Sequence, residues 1–127
     1  MPNYDTSRYD PPAPVAEVLL RNRDDASQTT AVIVLLDTGA DVTLLPRSVA
    51  DELGLQAATG INYELVGFDG RRTNANAVQL ELLFLNKIFR GYFLLIDDDW
   101  GILGRDVLDR IVLLLDGPRH QWQQQRP

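Results

Sequence analysis

The stretch Ala31-Val32-Ile33-Val34-Leu35-Leu36-Asp37-Thr38-Gly39-Ala40-Asp41-Val42-Thr43-Leu44-Leu45 decides how this chain is read. An apolar run, rich in β-branched residues from Thr29 onward, ends abruptly in a carboxylate. Such a run signals a strand buried on both faces. A carboxylate at its end is costly unless the protein exploits it. The glycine two residues on lets the backbone turn sharply and come close to whatever the carboxylate faces. The triplet Asp37-Thr38-Gly39 occurs once, and a second apolar-apolar-glycine motif, Ile102-Leu103-Gly104, follows more than sixty residues later.

Working outward, Val15 to Leu20 is a strand candidate, and the polar stretch Arg21 to Ser27 suits the loop that joins it to Thr29–Leu36. Two strands therefore deliver Asp37. Val42 to Leu45 is a further short strand. Pro46 fits the first position of a helix running to Leu53, with Val49 and Leu53 on one face. Gly54 stands where a residue would stop it, and Leu55 where a hydrophobic contact would close the cap. Ile61 to Phe68 and Arg71 to Leu82 are strand-like, and Asp69-Gly70 between them is a strong hairpin signal. Lys87 to Ile96 is another strand, running into the acidic Asp97-Asp98-Asp99. Gly104 to Arg110 reads as a short helix and Ile111 to Leu115 as a last strand. Residues 1–14, closed by Pro11-Pro12-Ala13-Pro14, read as an extended Pro-rich arm, 15–117 as the packed domain, and 118–127 as a polar tail. The count predicts a mostly β protein with two short helices.

Composition removes many functions. At 127 residues the chain makes one domain with a real core. With 24% charged residues and a net charge of -6, it has no basic stripe with which to release counterions from nucleic acid. The doublet Arg71-Arg72 fits a solvated turn. There is no Cys, hence no thiolate nucleophile, and the single His120 lies in the polar tail, which argues against a His-based triad or a zinc site. No stretch approaches the roughly 20 apolar residues of a membrane span, and Met1-Pro2-Asn3-Tyr4-Asp5 has no signal-peptide character. A soluble, cytoplasmic protein with neither membrane nor nucleic-acid partner is the expectation.

Hydrolysing an amide needs a base to activate water and an acid to protonate the leaving nitrogen. With thiol, imidazole and metal sets gone, carboxylates are the remaining candidates. Two carboxylates a few ångströms apart cannot both ionise comfortably, so such a pair shares one proton and titrates as a unit. An isolated Asp-Thr-Gly is also an ordinary turn signal. Phosphate chemistry fits less well. A haloacid-dehalogenase site needs a second Asp where Gly39 stands, and an actin-like ATPase needs more chain and further phosphate loops.

The run Leu35 to Leu45, taken with Ile102-Leu103-Gly104-Arg105-Asp106-Val107-Leu108, resembles the retroviral-type, retropepsin-like aspartic peptidases over about residues 15–117. The helix after Pro46 is more like bacterial and retrotransposon relatives. The resemblance implies the acid-protease fold, a closed β-barrel or sandwich with one or two short helices, working as a homodimer on an extended peptide or protein substrate. It implies that Asp37 is the catalytic carboxylate, paired with Asp37 of a second copy, that Thr38 bonds across the dimer axis, and that Gly39 accepts the substrate backbone. Ala40 and Asp41 would line the groove, Asp41 pairing with Arg105. Ile102 would touch substrate, while Leu103, Gly104 and Arg105 support the loop. The hairpin around Val66-Gly67-Phe68-Asp69-Gly70 would be a flap that closes over bound peptide.

No metal and no organic cofactor is implied. Phe68 and Asp69 make the flap less glycine-rich than viral ones. The acidic run with Trp100, read on its own as a solvated loop, stands where the family has a substrate-contacting loop. In viral enzymes the terminal strands of both subunits interleave. The competing reading is a catalytically silent dimerisation or peptide-binding module of the same fold.

Overall fold

In the computed structural model, which describes residues 2–56, 62–66, 70 and 72–126, strands dominate. They are β1 (Tyr4–Asp5), β2 (Ala13–Arg21), β3 (Thr29–Leu36), β4 (Leu44–Pro46), β5 (Asn62–Val66), β6 (Arg72–Phe84), β7 (Lys87–Ile96), β8 (Gly101–Leu103), β9 (Leu113–Asp116) and β10 (Gln121–Gln124). Two short helices, α1 (Ser48–Glu52) and α2 (Arg105–Leu108), complete the set. Six strands close a barrel in the order β2-β3-β8-β4-β7-β6, because β6 pairs back onto β2 through Leu19↔Leu83, Leu20↔Leu82 and Arg21↔Glu81.

The barrel interior follows from alternation. In β2, Ala16, Val18 and Leu20 point inward while Glu17 and Leu19 face out; in β3, Val32, Val34 and Leu36 are the buried set. The apolar run is thus buried on one face, not two: Ala31 is exposed and Ile33 and Leu35 are half-buried, because nothing packs fully over the outside of β3. Leu45, Leu80, Leu82, Phe84, Phe93, Leu95 and Leu103 fill the centre. Burying each such side chain contributes about 1.5–3 kcal/mol, so this shared core carries the fold.

Turn chemistry departs from the sequence pattern in three places. Pro46 ends β4, opposite Ile96, and α1 starts two residues later with Arg47 as its N-cap. The stop is as expected: Gly54 takes φ 66, its N–H reaches Asp51 O at 3.2 Å, and Leu55 N–H reaches Ala50 O at 2.8 Å, a Schellman cap. Between β6 and β7, Leu85 and Asn86 both adopt positive φ, 52° and 64°, in a two-residue turn. Leu85 recovers the strain by packing its side chain on the core. In the β5–β6 hairpin Val66 faces Arg72, whereas a two-residue Asp69-Gly70 turn would set Val66 opposite Thr73. Gly67, Phe68 and Asp69 lie outside the described residues; Gly70 has φ 81.

Both termini are built into the fold. Tyr4 and Asp5 pair with Pro14 and Ala13, and Tyr4 N–H donates to His120 O at 2.9 Å. The tail read as merely polar contains β10, which pairs with β9 as a hairpin from Asp116↔Gln121 to Leu113↔Gln124. Trp122 anchors it: 4% exposed, its indole N–H donates to Val15 O at 2.7 Å and its ring packs on Phe84. Terminal segments that the resemblance interleaves between subunits therefore pair here within one chain, Asn3 bridging to Gln121.

The outer edge of β9 is open. Gln125 N–H bonds Val112 O, so by alternation Leu113 and Leu115 aim their backbone groups away from β10, and β9 has no second neighbour among the described residues. Val112, Leu114 and Leu115 are about half exposed. Among the described residues no helix is long and apolar enough to cross a membrane.

Candidate active site

Asp37 leaves the end of β3 where β8 runs parallel beside it, Leu35 opposite Ile102 and Leu36 opposite Leu103. On its other side β8 pairs antiparallel with β4 through Leu44↔Ile102. The chain between β3 and β4 must therefore loop over the end of β8, and residues 37–43 do so. Two glycines make the crossing possible. A Cβ on Gly101 would sit 2.6 Å from Leu44 O, and one on Gly104 would sit 2.5 Å from Val42 O and 2.9 Å from Ala40 O. Space rather than backbone conformation requires glycine at Gly104, whose φ is -96°.

The loop is tied down throughout its length. Asp37 N–H donates to Leu103 O at 3.1 Å, and Arg105 N–H donates to Ala40 O at 2.8 Å. The Arg105 guanidinium reaches back to Thr38 O at 2.6 Å. The Asp37 carboxylate is oriented locally, its Oδ1 accepting the Gly39 N–H at 2.8 Å. Thr38 and Gly39 are exposed and Asp37 is half-exposed, so the carboxylate is presented at the surface of the chain.

The structure thus brings together Asp37, Thr38, Gly39, Ala40, Ile102, Leu103, Gly104 and Arg105, as the two motifs suggest. It does not form the Asp41–Arg105 ion pair. Arg105 spends its guanidinium on the Thr38 carbonyl, and among the described residues no Asp41–Arg105 contact within 4.0 Å exists. Ile102 is half-buried between Leu35 and Leu44. Val66 ends β5.

Two residues that sequence reasoning passed over complete the support. Thr43 is fully buried. Its hydroxyl donates to Asp106 Oδ1 at 2.7 Å and accepts the Gly104 N–H at 3.1 Å, while its own N–H donates to Asp106 Oδ2 at 3.0 Å. Asp106 thereby clamps the start of α2 onto the end of the Asp37 loop. The available signal was a hydroxyl residue inside an apolar run, Val42-Thr43-Leu44, which must find a partner once buried.

The acidic run is not merely solvated. Asp97 pairs with Arg47 at 2.9 Å, and Asp98 and Asp99 pair with Arg8 at 2.5 and 2.9 Å. Among the described residues no cluster of three His, Cys, Asp or Glu side chains could hold a metal ion. On the barrel wall, Glu81 lies between Arg21 and Arg90, both within 2.7 Å. The Arg21 hydrogen bond first, and Arg90 after it, hold the Glu81 carboxyl below its ordinary value.

A family model described as aspartyl protease matches residues 25–107, more than half of the chain. No curated protein matches. Among solved structures the retroviral EIAV protease, complexed with the inhibitor HBY-793, is similar: 25% identity, TM-score 0.58, covering 77% of this chain and 86% of that one.

Proposed function

This chain belongs to the aspartyl protease family, and from that premise we propose that it is an aspartic endopeptidase whose active site is completed by a second copy of itself. One observation carries the reading. A single Asp37 is presented at the surface by a loop tied to β8 at Leu103, Ala40 and Thr38, so the carboxylate is held in place but has no intrachain twin at a matching motif. Two copies related by a two-fold axis supply the pair.

Two such carboxylates retain one proton between them. The ionised one takes a proton from a water held between them as the water oxygen bonds to the substrate carbonyl carbon. The protonated one gives its proton to the carbonyl oxygen, forming a tetrahedral diol. The proton taken from water then passes to the leaving nitrogen as the C–N bond breaks, while one diol hydroxyl returns its proton to the other carboxylate, leaving a carboxylic acid, an amine and the pair with its shared proton restored. An extended peptide binds as a strand, its main chain giving affinity and side-chain pockets giving preference. Gly39, Ala40, Asp41 and Ile102 line its path, and Val66, Gly67 and Phe68 close over it. No metal or organic cofactor takes part. Activity is favoured in acid, where the shared proton is kept.

A peptide library incubated at several pH values, with and without a pepstatin-like inhibitor, tests this directly. Wild-type protein should cleave with acid preference. Asp37→Asn should lose at least about a thousandfold in rate while staying folded, since the Asn side-chain oxygen still accepts the Gly39 N–H. Undiminished cleavage by purified Asp37→Asn protein would refute the assignment.

A further inference from the structure

The N-terminal arm carries a cluster that neither the barrel nor the chemistry above uses. Asp5 builds a tight turn: its Oδ2 accepts the Arg8 and Tyr9 backbone N–H groups at 2.5 and 3.3 Å, and its Oδ1 accepts the Ser7 hydroxyl at 3.2 Å. The turn delivers Arg8 to the loop between β7 and β8. There the guanidinium lies over the Trp100 ring, 4.5 Å from its centroid, while Nη2 reaches Asp98 and Nη1 reaches Asp99. Tyr9 packs on Trp100 with 6.2 Å between ring centroids. Stacking on an aromatic face while bridging two carboxylates suits a planar guanidinium and not an ammonium.

This loop feeds the strand that supports the site. Trp100 precedes β8, whose Ile102 lies between Leu35 and Leu44 and whose Leu103 carbonyl receives the Asp37 N–H. Three consecutive carboxylates at that border would be strongly anionic. Arg47 offsets Asp97, and Arg8 sits across Asp98 and Asp99, so only one negative charge is left uncompensated. The Asp99 side chain remains 80% exposed, so the border is open to a bound chain.

We propose that Arg8 is a specificity-determining residue: by covering Trp100 and offsetting one of the two charges of Asp98 and Asp99, it brings this border of the groove closer to charge balance. An outer position of the bound peptide then takes a neutral side chain with no premium for a cationic one. The substrate in this inference rests on the peptidase reading; the Arg8 clamp itself does not.

The test uses peptides carrying Leu, Lys or Glu at each outer position in turn, cleaved by the wild-type protein, Arg8→Ala and Arg8→Lys. Arg8→Ala should raise kcat/KM for Lys over Glu at one such position by roughly fivefold relative to wild type, through KM, with kcat within about twofold. Arg8→Lys should restore most of the wild-type charge balance. An equal loss on all three peptides would make Arg8 a structural brace only, and no change would mean that the loop does not border bound peptide. Either result overturns the proposal. If the wild-type chain cleaves nothing, binding of the same peptides is measured by fluorescence anisotropy. A Lys preference appearing only in Arg8→Ala upholds the Arg8 role while the peptidase reading fails; no such preference overturns both.

Discussion

The Asp37 loop and the β9–β10 hairpin are finished to different degrees. The loop is complete as structure: its backbone is bonded to Leu103 and Arg105, its carbonyls at Thr38 and Ala40 are used, and buried Thr43 has all its partners. Under the proposed function it is chemically half a site, one carboxylate where the mechanism uses two. The hairpin is the converse. Trp122 seats it firmly on one side, yet the outer edge of β9 offers unpaired backbone groups at Leu113 and Leu115 beside exposed apolar side chains. An open apolar edge is a liability that proteins ordinarily blunt with charge, proline or a bulge. Here Asp116 is the only charge on β9, and in the proposed dimer two β9 strands running antiparallel across a two-fold axis would make one four-stranded sheet. The hairpin sits at the Asp37 end of β3, since Trp122 bonds Val15 and Val15 pairs with Leu35. The open edge of β9 therefore lies beside the Asp37 loop, and under the proposed shared site a second copy would meet both.

The contrast can be broken first at the hairpin. Leu114→Lys places a charge on β9 and spares Leu115, the cross-strand partner of Trp122. Dimerisation should weaken by about a hundredfold, with unchanged circular dichroism and cleavage lost in proportion to dimer. Sedimentation at graded concentrations measures it, and an unaltered association constant would remove β9 from the interface.

At the loop, a smaller effect is expected from Thr43→Val. Shape is preserved, but the Gly104 N–H loses its acceptor and Asp106 loses one of its two donors. Leaving such buried groups unpaired costs about 1–3 kcal/mol. Denaturant unfolding should report that loss together with a reduced kcat, because the strut under the Asp37 loop slackens. Full stability in Thr43→Val would mean that the Thr43–Asp106 clamp is dispensable.

The smallest effect concerns the barrel wall, which serves as a control for both regions. The Glu81 carboxyl is held below its ordinary value of 4.5, chiefly by the Arg21 hydrogen bond and then by Arg90. A carboxyl depressed in the folded state adds stability that is present above the unfolded value and fades as pH falls through the folded one. Thermal unfolding of wild type should therefore decline below about pH 4.5 more steeply than that of Glu81→Gln. Parallel pH profiles would show that the triad contributes nothing. The result bears on function, since acid is where cleavage is expected.

Much of this was legible from the residues because local chemistry and global packing agreed. The apolar run into Asp37-Thr38-Gly39, the strand Lys87–Ile96 and the Gly54 stop all stand where pattern put them. The misses lie where contact with a distant segment decides the local structure or the partner. Gln121-Trp122-Gln123-Gln124 has no strand signature; pairing with β9 makes it a strand, and the Trp122 indole on Val15 seats it. The Pro-rich arm reads as loose until Tyr4 meets His120 and Arg8 meets Trp100. Leu85-Asn86 lacks the glycine expected of a two-residue turn, and core packing of Leu85 substitutes for it. The resemblance pairs Arg105 with Asp41, whereas the backbone carbonyl that Arg105 reaches is visible only in three dimensions.

The central claim, that each active site takes Asp37 from two chains, is tested most directly by mixing. Wild type and Asp37→Asn are unfolded together in equal amounts, refolded, and assayed at the total concentration at which wild type is fully dimeric. If the site is shared, only dimers with two wild-type chains cleave, and activity per total chain should fall to about one quarter of the unmixed wild type. A value of about one half would mean that each chain works alone, and the shared site would be contradicted.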